Sequence, residues 1–500
     1  MKINIQKKII RTIFSHFFKK KNISIILYLS SKPFFKKEGY WVLQQLLNRG
    51  YLNHSNSLMH MLPYKKHFEC IIRRINSMMM IKSHGFSINK LKKIPIKVPN
   101  VLFCVHNSMP YDFAGYAIRT KNISQELINH DTNVTIATRP GYPLDLLKHR
   151  GFHNNIPDED FIHNVKYIRL LDNDKKFKRG ADVEYLDIYA KALVEYSKKY
   201  NINILHAHSN YLNGHAAIKA SNILKIPVIY ELRGLWHKTR TLLDKNYEIG
   251  GMFEYEEIME KYALLNVDVA VTISKELKKL IVSWGVEEKK IYVIPNSVDT
   301  TKFSPLAPVQ HLIEKYQLKD KIVIGFIGSL TNYEGLQELV NAVDELIEEN
   351  LNIALLIVGG GREKEKLQKL AKSKHIIFTG HVPFDSVLEY YSIIDICPFP
   401  RNNVEICNYV PPLKILEAMS MKKAVIVSDV APLLHIMNNG KNGLICRADD
   451  IDSLKEMITL YYTDAALREK FTKTARAWVE NNRSIDTIGL KYKKLYDSFR

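Results

Sequence analysis

The side chains best placed to do chemistry follow short apolar segments that have the composition of buried strands. In the second half of the chain, Pro411-Pro412 leads into a helical stretch with Lys414 in its first turn and Glu417 one turn later. A lysine there can neutralise a phosphate, and a carboxylate can accept two hydrogen bonds from a ribose diol. The same spacing also fits a surface ion pair, which contributes little to stability. The pattern favours a nucleotide site and leaves the surface ion pair as its alternative.

Glycine-containing strand ends indicate the same kind of ligand. The residues concerned are Gly328, Ser329 and Glu334 around one strand end, and Gly359, Gly360 and Gly361 at another, directly before a helix expected to start at Arg362. Glycine lets backbone N–H groups approach a phosphate or a sugar closely. A tight strand-to-helix turn accounts for the triple glycine equally well, so both interpretations stay open.

Two further spacings suggest a metal ion, and neither forms a complete ligand set. His206 and His208 alternate on a predicted strand and therefore share a face, but the sequence places no third ligand beside them. Asp172 and Asp174 lie in a charged segment that is typical of a solvated turn. We therefore expect neither a metal ion nor a cofactor.

Alternating strands and helices must position these residues. Seven apolar segments between Val101 and Pro295 alternate with helical stretches, and a second series of six follows between Ile322 and Ala448. Continuous Val, Ile and Leu content is typical of strands covered on both faces, as in parallel sheets. The pattern predicts an α/β protein with two doubly wound, Rossmann-like domains facing a cleft. The predicted boundaries are 1–98 for a basic helical extension, 99–305 and 306–485 for the two domains, and 486–500 for a helix that packs back on the first domain.

The positive charge is concentrated in the first hundred residues. The chain has 72 Lys and Arg against 52 Asp and Glu, and residues 1–98 hold 20 bases but only two acids, which is +18 of the total +20. Between residues 9 and 18, apolar pairs repeat every four residues, so a helix there has one apolar and one cationic face. Such a helix suits an anionic membrane surface, contacted through residues 1–37, or packs on the protein itself. We expect no nucleic-acid partner, since no recognition motif accompanies the charge.

The cysteine content and the hydropathy indicate the cellular compartment of the protein. Five cysteines without a CxxC pair favour a reducing compartment. No uncharged apolar run approaches the length of a membrane span. We therefore predict a cytoplasmic protein, peripheral at the inner face of the plasma membrane if the extension binds lipid.

Several motifs resemble, in order, those of the GT4 family of retaining glycosyltransferases, which has the GT-B fold. PPLKILEAMSMKKAVIVSDVAPL (411–433) is similar to the family's signature helix, and IPNSVDTTKF (294–303) resembles its PNGVD segment. GYAIRT, TRPGYP, HAHS, YELRGLWHKTR and GSLTNYEGL resemble a subgroup found in bacterial exopolysaccharide and capsule loci. The resemblance spans roughly residues 100–485.

The resemblance implies transfer of a sugar, with retention, from a nucleotide-sugar donor on the second domain to a glycan or lipid-linked acceptor on the first, in surface-polysaccharide synthesis. Glu417 matches the family's nucleotide-ribose ligand, whereas Tyr409 stands where the first Glu of that motif is expected. Ser329 and Glu334 stand where the family often has an Arg and a Lys. The cations for the diphosphate are therefore expected to be Lys414 and Arg401.

The matched positions give a set of expected site residues. In the family a His often ends the strand that here reads VIYEL, and Glu231 stands in its place, with Arg233 beside it in the cleft. The catalytic candidates are Glu231, Arg233 and Lys414. The donor-binding candidates are Gly328, Ser329, Glu334, Gly359, Gly360, Gly361, Arg401, Lys414, Leu416 and Glu417. The acceptor-side candidates are Gly115, Tyr116, Arg119 and His208. The departures leave two alternatives open, a GT-B nucleotide-sugar epimerase and a non-catalytic binding protein that kept the scaffold.

Overall fold

The computed structural model describes residues 11–18, 23–31, 38–62, 69–84, 93–147, 156–170, 182–244, 246–438 and 440–500. The predictions for residues 1–10, 32–37 and 171–181 fall outside these ranges. Among the described residues, none of the helices combines the length and the hydropathy of a membrane span.

The N-terminal extension is helical in its described parts. Its helices are α1 (11–18), α2 (Ile23–Ser31), α3 (Gly39–Asn48), α4 (Leu52–Met61) and α5 (Glu69–His84). They pack on one another, and α5 also packs on two helices of the first domain. The extension therefore shares a hydrophobic core with the body of the protein.

The apolar face of α1 packs on the protein in its described residues. Phe14 is fully buried, and Phe18 packs edge-to-face on Trp41 with its ring 4.5 Å from the Arg49 guanidinium. An amphipathic pattern shows that one face of a helix is covered, but it does not show whether lipid or protein covers it, because both give the same pattern. Of the two alternatives, packing on the protein is the one that these residues adopt.

The first domain is built on an eight-stranded sheet in the order β3-β4-β2-β1-β5-β6-β7-β8. Its strands are β1 (Asn100–Val105), β2 (Asn133–Thr138), β3 (Glu159–Ile162), β4 (Val165–Arg169), β5 (Ile204–His208), β6 (Val228–Leu232), β7 (Val269–Thr272) and β8 (Ile291–Val293). Every pair is parallel except β3-β4. Its helices are α6 (Gly115–Asn129), α7 (Leu144–Leu147), α8 (Asp182–Lys199), α9 (Tyr211–Leu224), α10 (Trp236–Leu243), α11 (Asn246–Ile249), α12 (Met252–Asn266) and α13 (Lys275–Ser283).

The second domain has a six-stranded, all-parallel sheet in the order β11-β10-β9-β12-β13-β14. Its strands are β9 (Ile322–Ile327), β10 (Ile353–Val358), β11 (Ile376–Gly380), β12 (Ile396–Phe399), β13 (Ala424–Ser428) and β14 (Leu444–Cys446). Its helices are α14 (Gln310–Lys315), α15 (Leu336–Glu348), α16 (Lys364–Leu370), α17 (Val387–Ser392), α18 (Lys414–Ser420), α19 (Ala431–Ile436), α20 (Ile451–Thr463) and α21 (Ala465–Arg483).

The predicted fold class is confirmed. All residues of β5, β6 and β10 are buried, as expected for strands covered by helices on both faces. In each sheet the strand order reverses beside the first strand, at β1-β5 and at β9-β12, and ligands of doubly wound sheets bind outside such switch points.

The last helix returns to the first domain. After α21, the chain pairs with Val298 at Ser484 and continues into α22 (Ile485–Asp497), which packs on α6. Tyr492 and Tyr496 are fully buried there, in the same core cluster as the strands of the first sheet. The chain therefore connects its two domains twice, and the two connections lie side by side at Val298 and Ser484.

Candidate active site

A cavity of about 420 Å³ lies between the two domains. Gly115, Tyr116 and Arg119 at the start of α6 line it from the first domain, together with Arg233 and Trp236 after β6. The second domain contributes Gly328 after β9 and, from α18, Lys414 and Glu417. The carboxyl ends of both sheets therefore meet at this cavity, and seven residues predicted from the sequence line it.

On the second domain, one buried carboxylate lies between two cations. Glu334 contacts Lys414 Nζ at 2.9 Å and Arg401 Nε at 3.7 Å, and its side chain is 6% exposed. We call these three residues the C-terminal cluster; its formal charge is +1. Lys414 therefore pairs with Glu334 and not with Glu417, which excludes the surface ion pair considered above.

The position of Lys414 follows from the local backbone. The lysine begins α18, and its ammonium group lies 4.1 Å from the centre of the Phe326 ring on β9. Gly328 makes room for it, because a Cβ atom at that residue would lie 3.2 Å from Nζ. Burial lowers the pKa of Lys414. Burial raises the pKa of Glu334, but the charges of Lys414 and Arg401 outweigh it and bring the pKa below its ordinary value.

The first domain carries a matching arrangement around Glu231. Its Oε1 accepts hydrogen bonds from Arg119 at 2.9 Å and from the Tyr492 hydroxyl at 2.9 Å, and Arg233 Nε lies 3.1 Å away. Burial raises the pKa of Glu231, but the two arginine charges outweigh it and hold the pKa well below its ordinary range. We call Glu231, Arg119 and Arg233 the N-terminal cluster; its formal charge is also +1.

The cavity also contains the carboxyl group of Glu417. It accepts a hydrogen bond from the Tyr391 hydroxyl at 3.3 Å, and burial raises its pKa to about 7. The group is therefore close to half ionised at neutral pH. A ligand that donates hydrogen bonds to the carboxylate, as a ribose diol does, favours the charged form.

The two strand histidines lie beneath the cavity. His206 and His208 are fully buried, and burial lowers the pKa of His206 to about 3 and that of His208 well below its ordinary value. Glu231 Oε2 lies 3.5 Å from His206 Nε2 and 3.8 Å from His208 Nε2, so a third ligand atom is present after all. The same carboxylate already neutralises two arginines, and their positive charge opposes a divalent cation at this point.

Four predicted placements need correction. Glu231 and His208 were expected to face the cleft, but both side chains are fully buried. Arg401 is 4% exposed and donates to the Val410 carbonyl at 2.7 Å, so it holds the loop before α18 and does not line the cavity. Leu416 is a core side chain, 1% exposed.

The triple glycine serves close packing. A Cβ at Gly359 would lie 2.0 Å from the Gly328 carbonyl oxygen, and one at Gly361 would lie 2.2 Å from the Leu330 carbonyl oxygen. The following helix begins at Lys364 and not at Arg362. These glycines allow the turns after β9 and β10 to pack closely against each other. Of the two interpretations of the triple glycine, the tight strand-to-helix turn is the one that the structure shows.

Two residues that bind the site together escaped the sequence analysis. Asn296 accepts a hydrogen bond from Arg119 at 3.1 Å and donates to the Pro411 carbonyl at 2.8 Å, so it links the two domains at the cavity. Tyr492 donates to Glu231 from α22. Asn296 lies within the PNSVD motif and could have been singled out there; Tyr492 gives no local signal.

The arrangement can bind a doubly charged anion. Each domain presents two cations around one carboxylate, and Lys414, Arg119 and Arg233 all reach the cavity. Fixed cations in a site that excludes most water stabilise a developing phosphate charge strongly, because they need no reorganisation during the reaction.

Two family models match most of the two domains. Residues 113–302 match the family described as Glycosyltransferase Family 4, and residues 309–478 match Glycosyl transferases group 1. The capsular polysaccharide biosynthesis glycosyltransferase CapM of Staphylococcus aureus is 26% identical over 293 residues, which are 56% of this chain and 73% of CapM.

Solved structures share the fold. Sucrose-phosphate synthase from Thermosynechococcus elongatus superposes with a TM-score of 0.65 at 20% identity, over 80% of this chain and 98% of that one. Anabaena HepE, solved with UDP, superposes with a TM-score of 0.61 at 14% identity, over 80% of this chain and 100% of HepE.

Proposed function

Because the chain belongs to glycosyltransferase family 4, whose members have the GT-B fold and use nucleotide sugars, we propose that it transfers a sugar from a nucleoside-diphosphate sugar to a glycan or lipid-linked acceptor with retention of anomeric configuration. The observation that carries the proposal is the cavity between the domains, where Lys414, Arg119 and Arg233 converge.

The donor is assigned to the second domain. Lys414 would neutralise the diphosphate, and Glu417 would accept hydrogen bonds from the ribose hydroxyls. UDP is the first nucleotide to test, because HepE was solved with UDP and with UDP-glucose.

The main requirement of the reaction is to stabilise the negative charge that develops on the leaving diphosphate. The bond between the sugar C1 and the diphosphate oxygen breaks, and a bond forms between C1 and the acceptor oxygen. The acceptor proton moves to the departing phosphate oxygen, which also accounts for attack on the same face and hence for retention. Lys414 and Arg233 are catalytic residues in this scheme because they face the charge that grows on the leaving group. Glu231 is a positioning residue, since it is buried and orients Arg119 and Arg233.

A role in surface-polysaccharide synthesis is supported by the similarity to CapM. We further propose a cytoplasmic enzyme that is held at the inner face of the membrane by the basic side chains of residues 1–37, while the apolar face of α1 packs on the protein. Residues 2–21 carry seven Lys and Arg and no acid, and each basic residue near an anionic leaflet contributes about 1 kcal/mol of attraction. Sedimentation with vesicles of anionic and of zwitterionic lipid tests this, and equal binding to both would contradict it.

A thermal-shift screen against UDP-, GDP-, ADP- and CMP-sugars tests the proposed function. We expect sugars of one base to raise the melting temperature, because a ligand that binds only the folded state stabilises it. Lys414→Met should lose that shift, whereas Lys369→Met, an exposed lysine in α16, should keep it. NMR of the transfer product then reports whether the anomeric configuration is retained. A wild-type chain that no nucleotide sugar stabilises would refute the proposal.

A further inference from the structure

A second cavity of about 270 Å³ lies beside the first, between the N-terminal extension and the first domain. Arg74 and Met78 of α5 line it from the extension, and Asn210 at the start of α9 and Arg240 of α10 line it from the domain. Its domain side lies at the carboxyl ends of β1, β5 and β6, the same edge of the sheet that forms the cleft.

Trp236 separates the two cavities and lines both of them. Its ring centre lies 6.2 Å from that of Tyr116 on the cleft side and 4.8 Å from that of His106 on the other side. The two cavities therefore adjoin at this indole. Indole faces are good contact surfaces for the apolar faces of sugar rings.

Two polar groups in the second cavity lack a partner within the described part of the chain. Arg74 Nε is buried without a hydrogen-bond partner, and so is the Oδ1 atom of Asn210, whose residue is 6% exposed. The other charges of the cavity, Arg240 and Glu256, pair with each other at 2.6 Å. Since buried polar groups are nearly always hydrogen-bonded, the unpaired donor and acceptor indicate a ligand.

The extension is docked rigidly enough to form such a wall. Gly50 packs on the Tyr247 ring so closely that a Cβ would lie 2.3 Å from its Cδ2 atom. Asn53 accepts a hydrogen bond from Lys82 and donates its backbone N–H to the Gly250 carbonyl at 2.9 Å. These contacts fix α3, α4 and α5 on the first domain.

We propose that the second cavity is an acceptor subsite, built jointly by the extension and the first domain, for a saccharide that carries an anionic group. The inference rests on the proposed function, because it names the acceptor of that reaction. Arg74 would bind the anionic group, a carboxylate or a phosphate, and Asn210 would accept a hydrogen bond from a sugar hydroxyl. The sugar that receives the transferred unit would lie on the cleft side of Trp236.

The test measures binding of three small probes to the full-length protein by saturation-transfer NMR and calorimetry. The probes are methyl glucoside, methyl glucuronide and glucose 6-phosphate. We expect Arg74→Gln to weaken one or both anionic probes about tenfold, the scale of one charge-assisted hydrogen bond, and to leave the glucoside unchanged. Arg73→Gln is the matched control, because Arg73 is exposed on the same helix and pairs with Glu69 and Glu184. The probe that responds distinguishes a carboxylate from a phosphate.

Asn210→Ala is a second, independent variant, expected to weaken all three probes in case Arg74→Gln does not fold. Anionic probes that bind wild type, Arg74→Gln and Asn210→Ala alike would overturn the subsite. So would a wild-type protein that binds neither anionic probe at about 10 mM, well above an ordinary fragment Kd. The thermal shift caused by nucleotide sugars, measured on the same proteins, distinguishes the two proposals. If no nucleotide sugar shifts the melting temperature, the transferase proposal is refuted. If one does, but probe binding does not depend on Arg74, only the subsite is refuted.

Discussion

Replacing Lys414 with methionine removes the one cation of the C-terminal cluster that reaches the cavity, while keeping most of its side-chain volume. At an effective dielectric constant of about 20, the Lys414–Glu334 contact at 2.9 Å corresponds to about 6 kcal/mol of Coulomb attraction, and the Arg401–Glu334 contact at 3.7 Å to about 4.5 kcal/mol. Glu334 therefore keeps a partner in the variant. We expect folding to lose about 1–3 kcal/mol, less than the cost of leaving a buried charge alone.

The effect on catalysis should be larger than the effect on folding. Removing one preorganised group that faces the developing charge lowers turnover about 100- to 1,000-fold, or about 3–4 kcal/mol. The assay measures kcat and KM for sugar transfer, donor hydrolysis without acceptor, and the Kd of UDP. Lys369→Met, exposed in the same domain, is the charge-matched control.

Two results would refute this reasoning. Wild-type turnover in Lys414→Met would show that the lysine does not face the leaving group. A protein that no longer folds would show that Arg401 cannot support Glu334 alone, and that the contact distances overstate its contribution.

Four other predictions concern the titration of two buried carboxyl groups, the packing of the extension and the need for a metal ion. Because the pKa of Glu417 is about 7 and the donor favours its ionised form, donor affinity should fall as pH drops from about 8 to 6, up to tenfold per pH unit. Calorimetry measures this slope, and finding the same slope in Glu417→Gln would contradict the prediction. Burial raises the pKa of Glu260 to about 8, so the folded state holds a proton that the unfolded chain releases, and stability should decline as pH rises from about 4.5 to 8. Denaturation curves of Glu260→Gln should show a shallower decline, most clearly between pH 7 and 8, above the pKa of Glu417. Gly50→Ala, at φ +87° and against the Tyr247 ring, should loosen the extension and speed its cleavage by trypsin. Gly285→Ala is also at positive φ, but its Cβ would make only an ordinary contact of 3.9 Å with Leu265, so it should not have this effect. Transfer should survive dialysis against EDTA, since lysine and arginine supply the charge; loss of activity restored by a divalent cation would contradict the metal-free scheme.

The sequence predicts best what depends on local pattern. Continuous apolar segments located thirteen strands, and the strand ends they define carry Arg233 and Gly328 to the cavity. The edge strand β3 was missed because its sequence, EDFI, is half polar and its side chains alternate between exposed and partly buried. Short edge strands carry little hydrophobic signal, since one side of them meets solvent.

Partnerships over long sequence separations could not be predicted. Tyr492 reaches Glu231 across 261 residues, and the Asn296 side chain reaches the Pro411 carbonyl across 115. Glu231 has the residue type of a catalytic acid, and only the fold reveals that two arginines and a tyrosine bury it. For the same reason the sequence does not distinguish Arg74 from the other bases of the extension, whereas in the fold α5 brings it to the edge of the first sheet.

Ser329, Glu334 and Tyr409 differ from the residues that the family motifs have at these positions, which favours the alternative of a non-catalytic binding protein. The charge balance of the C-terminal cluster argues against that alternative. Glu334 neutralises one of two adjacent cations and leaves a net +1 beside the cavity. Glu334→Gln should then raise the affinity for UDP, because it removes a negative charge near the diphosphate. It should also lower stability by about 3–5 kcal/mol, because Lys414 and Arg401 lose their shared partner. Calorimetry with UDP and a urea unfolding curve measure both effects. Weaker UDP binding in a folded Glu334→Gln protein would show that the carboxylate itself contacts the donor, and the assignment of Lys414 as the phosphate cation would fail.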